Sequence, residues 1–520
     1  MLSLLIWLPA ATALIGATAG GRRTSGMLAL LGSLASLGLS IALIAGWSGQ
    51  LGGLTHVTDV VWIRSLGVHY KIGVSGLNLF LVTLTSFVFS LSLVAANRRD
   101  WPRPELFYLL LGIAQSAVLG AFLAQDLALF IGFFDLMLIP FYLLTGVYGG
   151  PGRVAATTKL VIYTMVGSLL MLAGAVALAV LVSHQSGQPL NFTYTALAAT
   201  PLGQGTQDWI FLLFAAAFLV KMPAFPLHGW MPDGYREMPI EVLAVFSGVL
   251  SKVGAYGFLA IVLPILPQAS VHFQTLLLLI GLASILYGSA MAFTQTNARL
   301  IIGYSSVAQL GFITMGIFAL APQGAQGAVL QMVNHGIVVA PLFMIVALLA
   351  ARAGGSEDIR DMGGIAMRAP VLATIFLIVA FAALAMPGSG NFVGEVLILL
   401  GLFQTKMVFA IVAFTGVLMA SVYMLRVFIR TMHNRAGPEV ASRELRWRDA
   451  LVLVPFVGAI MLFAIYPQIE LSRAQGSVTS SITTAAATAA ASGGTPVAST
   501  TPSVRVTVSS AYSSTSPASR

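Results

Sequence analysis

Long apolar runs alternate with short polar connections along the whole chain up to residue 475. Fourteen runs stand out, at about 2–18, 27–46, 76–96, 105–124, 127–147, 155–182, 209–228, 240–263, 273–293, 300–320, 325–350, 371–403, 407–429 and 450–467. Each is near the roughly 20 residues an α-helix needs to cross a bilayer core. The first has no basic residues ahead of it and ends in Gly20-Gly21-Arg22-Arg23 rather than at a small-residue cleavage site, so it is expected to stay as helix 1. The pattern predicts an all-α polytopic membrane protein of about fourteen transmembrane helices.

The connections carry the orientation. Taken alternately, one set holds seventeen Lys and Arg, among them Arg22, Arg98, Arg99, Arg153, Arg236, Arg299, Arg352 and Arg430; the other holds three, Arg64, Lys71 and Lys406. Cytoplasmic loops carry the excess of basic residues, which places the N-terminus outside. Even helix parity then puts the C-terminal tail outside as well. From Gly476 to Arg520 the chain turns to Ser, Thr, Ala, Gly and Pro with no acid, and we read 476–520 as a disordered tail.

Composition narrows the chemistry. Of 520 residues, 58% are hydrophobic and 8% charged, against about 25% charged in a soluble domain. With no cysteine, the chain cannot build a thiolate-ligated iron–sulfur cluster, a disulfide or a Cys-type zinc site. The net charge of +9 is spread thinly over the loops and gives no nucleic-acid surface. Of seven histidines, only His335 lies clearly within a run and His228 near one, so a bis-histidine haem is not expected. No cofactor is expected on this chain.

Ionisable residues inside apolar runs cost roughly 2.5 to 3.5 kcal/mol each on insertion scales and mark polar paths. Asp135, Lys221, Lys252 and Glu395 lie within runs. Two acids and two bases offer mutual compensation, and a desolvated lysine becomes able to release a proton. His335, whose ordinary pKa is near neutrality, fits between Lys252 and Glu395 as a carrier. The competing reading makes Asp135 and Lys221 a static ion pair. Arg426 is placed to snorkel from a helix end.

Two runs are interrupted. Pro223, Pro226 and Pro232 follow Lys221, and Pro387-Gly388-Ser389-Gly390-Asn391 precedes Glu395. Non-helical backbone at membrane depth is tolerated only inside protein or against a water-filled cavity. Interruptions in helices 7 and 12, an odd number apart, point to two inverted five-helix repeats, helices 4–8 and 9–13. This divides the chain into 1–104 (helices 1–3), 105–263 and 273–430 (the repeats), 431–475 (a loop and helix 14) and the tail. Gly388-Ser389-Gly390-Asn391-Phe392-Val393-Gly394 fails as a dinucleotide fingerprint, because its last glycine is one place late and no βαβ unit surrounds it.

The segments Lys221-Met222-Pro223, Pro226-Leu227-His228-Gly229-Trp230-Met231-Pro232-Asp233 and Gly248-Val249-Leu250-Ser251-Lys252-Val253-Gly254 stand in order with Tyr304-Ser305-Ser306-Val307, Gln331-Met332-Val333-Asn334-His335-Gly336 and Pro387 to Glu395. Over about residues 105–467 this resembles the antiporter-like membrane subunits of respiratory complex I, NADH-quinone oxidoreductase. Glu395, where related types carry Lys, makes the resemblance nearest to the subunit M (chain 4) type.

That resemblance implies a proton-translocating translocase subunit in a bacterial inner membrane. Its partners are other membrane-arm subunits, the lipid bilayer, protons and internal water; NADH and quinone are handled on other chains. Lys221 matches the central lysine of helix 7, Lys252 the connecting lysine of helix 8, Glu395 the terminal acid of helix 12 and Asp135 the partner acid of helix 5. In this reading Asp135 stabilises protonated Lys221, and charge passes through Lys252 and His335 to Glu395. Three departures stand out: Asp135 replaces the usual glutamate, Gln309 stands where many relatives have histidine, and Arg299 lies in a less basic loop than usual. The Gln309 departure predicts that Lys252 and His335 communicate through water. A subunit of a multisubunit Na⁺/H⁺ antiporter or of a membrane-bound hydrogenase is the alternative, and a sealing scaffold is a third reading.

Overall fold

A computed structural model describes residues 1–48, 53–435, 437, 439–441 and 443–491. In chain order its principal helices are α1 (Leu2–Ala19), α2 (Arg22–Ala45), α3 (Leu79–Ala96), α4 (Pro104–Leu123), α5 (Leu127–Tyr148), α6 (Arg153–Ser186), α7 (Gln204–Lys221), α8 (Ile240–Ile265), α9 (Gln274–Thr294), α10 (Ala298–Phe318), α11 (Pro322–Ala350), α12 (Pro370–Ala383), α13 (Gly390–Thr405), α14 (Met407–Met432), α15 (Trp447–Ile465) and α16 (Gln468–Ala491). Among the described residues, twelve of these are each long and apolar enough to cross a membrane; α7, α12, α13 and α16 are the others.

Burial divides the helices into two populations. α10 is covered on every side, and α8 and α11 nearly so. By contrast α1, α2 and α14 present Leu4, Leu14, Leu31, Ile41, Val408, Ile411 and Leu418 outward. Such exposed leucines and isoleucines are stable against lipid and not against water. Of the ionisable residues of interest, Lys252 and His335 lie on these inner helices, α8 and α11.

Proline and local geometry set the interruptions. α5 has a turn at Met137: Pro140 has no N–H for the carbonyl of Leu136 and its ring crowds that carbonyl. Asp135 consequently lies at the end of a helical segment, Leu127–Leu136, and not in the middle of a continuous helix. α7 stops at Lys221, and helix resumes as Met231–Glu237. The freed groups find partners: Trp230 Nε1 donates to the Val220 carbonyl at 3.0 Å, and Phe225 N donates to Ser284 Oγ on α9 at 2.9 Å. Between α12 and α13 the chain turns through Leu384–Ser389, and the Ser389 hydroxyl caps α13 by accepting Phe392 N–H at 3.3 Å.

The expected all-α architecture holds, with one antiparallel hairpin among the described residues, β1 (Thr55–Ile63) and β2 (Val68–Val74). Asp59 on β1 receives His69 Nδ1 at 2.7 Å and Lys71 Nζ at 3.3 Å from β2. Asp126 ties the hairpin down, since its two oxygens accept the N–H groups of His69 (3.1 Å) and Leu129 (3.0 Å), the second capping α5. One expectation, a disordered tail over 476–520, is corrected: residues 476–491 are helical within α16, and 492–520 lie outside the described residues. Ala474, Ser477, Val478, Ser481, Ile482 and Ala485 form one buried face of α16 at helical spacing. Their small size lets the helix lie close to the rest, and a side chain on Gly76 would meet the Arg473 carbonyl at 2.2 Å.

Candidate functional site

Lys221 ends α7 and is buried. Its Nζ sits 4.5 Å from the centroid of the Phe134 ring on α5, a cation–π contact worth about 2 kcal/mol when desolvated. Asp135, the next residue, has one oxygen buried without a hydrogen-bond partner among the described residues. Among the described residues no ion pair joins Asp135 to Lys221, so the static pair is absent. The short aspartate side chain, at a helical segment's end, leaves the lysine against the neighbouring ring instead.

Lys252 is fully buried on α8. It follows a π-helical segment, Phe246–Leu250, and a second one, Phe258–Val262, lies beyond it. An ammonium has three donors, and three acceptors surround Nζ: the Ser247 carbonyl at 2.6 Å, Ser251 Oγ at 3.2 Å and His335 Nδ1 at 2.8 Å. The histidine comes from α11, which approaches α8 across a glycine pair. A Cβ on Gly336 would stand 2.7 Å from the Gly248 carbonyl, so only glycine permits this helix spacing. Lys252 and His335 are thus in direct contact, and the expectation that they need water between them is corrected.

Gln309, the position that prompted that expectation, has another task. Its Nε2 donates to Glu395 Oε1 at 2.8 Å, and its Oε1 accepts Gln331 Nε2 at 2.7 Å. All three side chains are buried, on α10, α11 and α13. Among the described residues Glu395 Oε2 has no partner, and neither do the amide atoms of Asn334 and Asn391 or Gln331 Oε1. The glycines around Glu395 are explained by this approach: a Cβ on Gly394 would lie 2.4 Å from Gln331 Oε1, and one on Gly390 2.8 Å from Asn334 Oδ1. Gln331 stands one turn before His335 on α11, so the lysine–histidine bond and the amide–carboxylate chain share one helix.

Sequence reasoning missed Gln331, Ser247 and Ser251 as functional neighbours. Gln331 had a usable signal, an amide four residues before a buried histidine. The two serines had none, because their role depends on the π turn. Arg426 donates to the carbonyls of Phe293 (2.5 Å) and Gln295 (2.9 Å), binding α14 to the end of α9. Arg299 donates to the Met238 carbonyl at 2.7 Å and pairs with Glu357, a local tie between loops. Among the described residues no three His, Asp or Glu gather to hold a metal ion.

The family described as "NADH:quinone oxidoreductase/Mrp antiporter, TM" matches residues 124–420, more than half of the chain. The chain belongs to this family. Within it, NADH-quinone oxidoreductase subunit M of Rhodobacter capsulatus is 33% identical over 483 residues, covering 90% of this chain and 94% of that one. Subunit M of Escherichia coli K12 is 35% identical over 463 residues, covering 87% and 91%. The chain is thus a homologue of subunit M and a multi-pass bacterial membrane protein. Among solved structures, a chain of respiratory complex I from Thermus thermophilus with bound NADH is 30% identical with a TM-score of 0.84, covering 93% of this chain and 99% of that one. A chain of the Mrp complex from a Dietzia species has a TM-score of 0.81 at 20% identity, a likeness of fold alone. The residues that touch in the structure, Lys252, His335, Gln309, Gln331 and Glu395, all fall inside the family's matched span.

Proposed function

We propose that this chain is a membrane-arm subunit of NADH-quinone oxidoreductase that translocates protons while other subunits oxidise NADH and reduce quinone. The observation that carries the reading is the 2.8 Å bond between buried Lys252 and His335. It joins a proton donor to a proton acceptor in a setting where a fixed charge is expensive. The ammonium gives its proton to Nδ1, and the imidazole passes a proton on toward Glu395, which Gln309 and Gln331 hold in place. Lys221 supplies the input side of this path, with Asp135 as the acid that modulates its charge through space. Internal water spans the steps between groups that do not touch.

In this proposal the chain crosses the membrane fourteen times. α7 with its continuation, and α12 joined to α13, each count as one broken span. Residues 105–263 and 273–430 form inverted repeats after an N-terminal unit, 1–104, and 431–475 supplies the last loop and span. The N-terminus and the chain after α15 face outward, as the distribution of arginines supports. The partners are the other membrane-arm subunits and the bilayer, and the two subunit M relatives above 30% identity favour complex I over an antiporter or hydrogenase assembly.

Proton translocation per NADH in inverted membrane vesicles, at equal content of assembled complex, tests the path. Lys221→Ala and Lys252→Ala are each expected to lower it severely. Normal translocation in both would make these residues packing groups. A reporter placed after Arg153 and another in the 184–205 loop should fall on opposite sides, and the same side for both would remove the fourteen-span topology.

A further inference from the structure

α16 carries an acid that this path does not use. Glu470 is fully buried, at 0% exposure, and among the described residues neither of its carboxyl oxygens has a hydrogen-bond partner. α16 packs against Leu263–Ile265 at the end of α8, against Pro267–His272, and against α11. It therefore touches both helices that supply the lysine–histidine bond. In the proposed topology, the end of α8 that it covers is the outward one.

The charged and titratable groups on these elements are engaged elsewhere. His272 faces Asp208, with Nδ1 to Oδ2 at 2.8 Å, and His335 faces Lys252. One group remains. Arg473, one turn along α16 from Glu470, has its Nε buried without a partner among the described residues, while its Nη1 donates to the Ile469 carbonyl at 2.9 Å. Positions three apart are neighbours on a helix surface. A bare carboxylate in such a setting is strongly disfavoured, and the neutral acid is the form that burial selects. The arginine one turn away on the same helix is the counter-charge available to the ionised form.

We propose that Glu470 is a proton-release site at the outward end of the path. It holds its proton in the buried state shown and turns toward Arg473 on giving that proton to the outside water. The O–H bond breaks as the proton leaves, the carboxylate keeps the electron pair, and one proton arriving from the path restores the acid. The inference rests on the proton-path reading above and on its outward placement of α16.

The test uses the assembled complex in vesicles, with Lys252→Ala as the reference. Glu470→Gln keeps shape and neutrality but removes the transferable proton. It is expected to reproduce at least half of the fall in protons per NADH that Lys252→Ala causes. Infrared difference spectra on turnover should contain a protonated-carboxyl band that Glu470→Gln abolishes. If Lys252→Ala lowers the ratio and Glu470→Gln does not, the release site is overturned and the path stands; if neither lowers it, both fall. A lowered ratio with no turnover-linked band makes Glu470 structural and overturns the site. Should Glu470→Gln not assemble, Arg473→Gln serves in its place, and an unchanged ratio with that variant overturns the proposal.

Discussion

Replacing His335 separates two roles that one hydrogen bond combines. His335→Phe removes the acceptor from Lys252 and leaves Nζ with the Ser247 carbonyl and Ser251 Oγ, at 2.6 and 3.2 Å. A hydrogen bond to a charged partner is worth about 1.5 to 3 kcal/mol. At about 1.4 kcal/mol per factor of ten, losing it depletes the productive arrangement roughly 10- to 150-fold. If transfer through this bond limits turnover, proton translocation coupled to NADH oxidation falls by a comparable factor. His335→Gln is the decisive companion, because the amide oxygen restores an acceptor but cannot relay a proton. The assay is proton uptake per NADH in inverted vesicles, normalised to assembled complex by blotting of a peripheral subunit. The reasoning requires both variants to be impaired. Full pumping by His335→Gln with impaired pumping by His335→Phe would reduce the histidine to an anchor for Lys252, and full pumping by both would refute the path at this point.

Gln309→Leu strips Glu395 of the partner that holds Oε1 and leaves Gln331 Nε2 unpaired; pumping should fall several-fold, and Gln309→His should retain more of it, as vesicle assays with matched protein would show. Asp358, in the loop after α11, is held down to about 2 by side-chain hydrogen bonding from Arg360, against burial's upward push and aided by Arg360 N–H and the Thr296 hydroxyl. A lowered carboxyl stabilises the fold above its ordinary value near 3.8 and loses that effect as pH falls toward 2, so protease cleavage of the 351–369 loop should rise between pH 4 and 2, and Asp358→Asn should show raised cleavage already at neutral pH. Ending the chain after residue 475 removes buried Val478, Ile482 and Ala485, and should lower the thermal midpoint of the detergent-solubilised complex; an unchanged midpoint would mean that the residues beyond 475 contribute nothing to stability.

The membrane-spanning pattern was legible because lipid demands about 20 consecutive apolar residues, and few other constraints leave so plain a mark. The hairpin was not, since Thr55–Val74 mixes charged, aromatic and β-branched residues with no long alternation and is fixed by Asp126 from a distant helix. Residues 476–491 read as a tail because Ser, Thr and Ala are counted as polar or neutral, whereas in a helix their smallness permits close burial. Among the site residues, order along the chain suggested Lys252, His335 and Glu395 together. It could not say which of them touch, because contact depends on the Gly248 and Gly336 approach. In the sequence Gln309 stands out for what it lacks, a titratable ring, whereas its amide is the bridge to Glu395. Asp135 is expected to stabilise Lys221 with a carboxylate one methylene shorter than usual, and among the described residues the two make no direct ion pair.

The two π-helical segments that flank Lys252 give α8 surplus length. A π turn behaves as one extra residue threaded into an α-helix, and each residue of an α-helix advances the side-chain direction by roughly 100°. Deleting a single residue from Phe246–Leu250 would restore regular α-helix and yet swing Lys252 away from His335 relative to the start of α8, where buried Glu241 accepts Arg99 Nη1 at 3.1 Å. A substitution that keeps the count leaves the aim intact. For this stretch, residue number is a stricter constraint than residue type, and evolutionary drift or engineering that shortens it by one would disarm the lysine with every charged group still present.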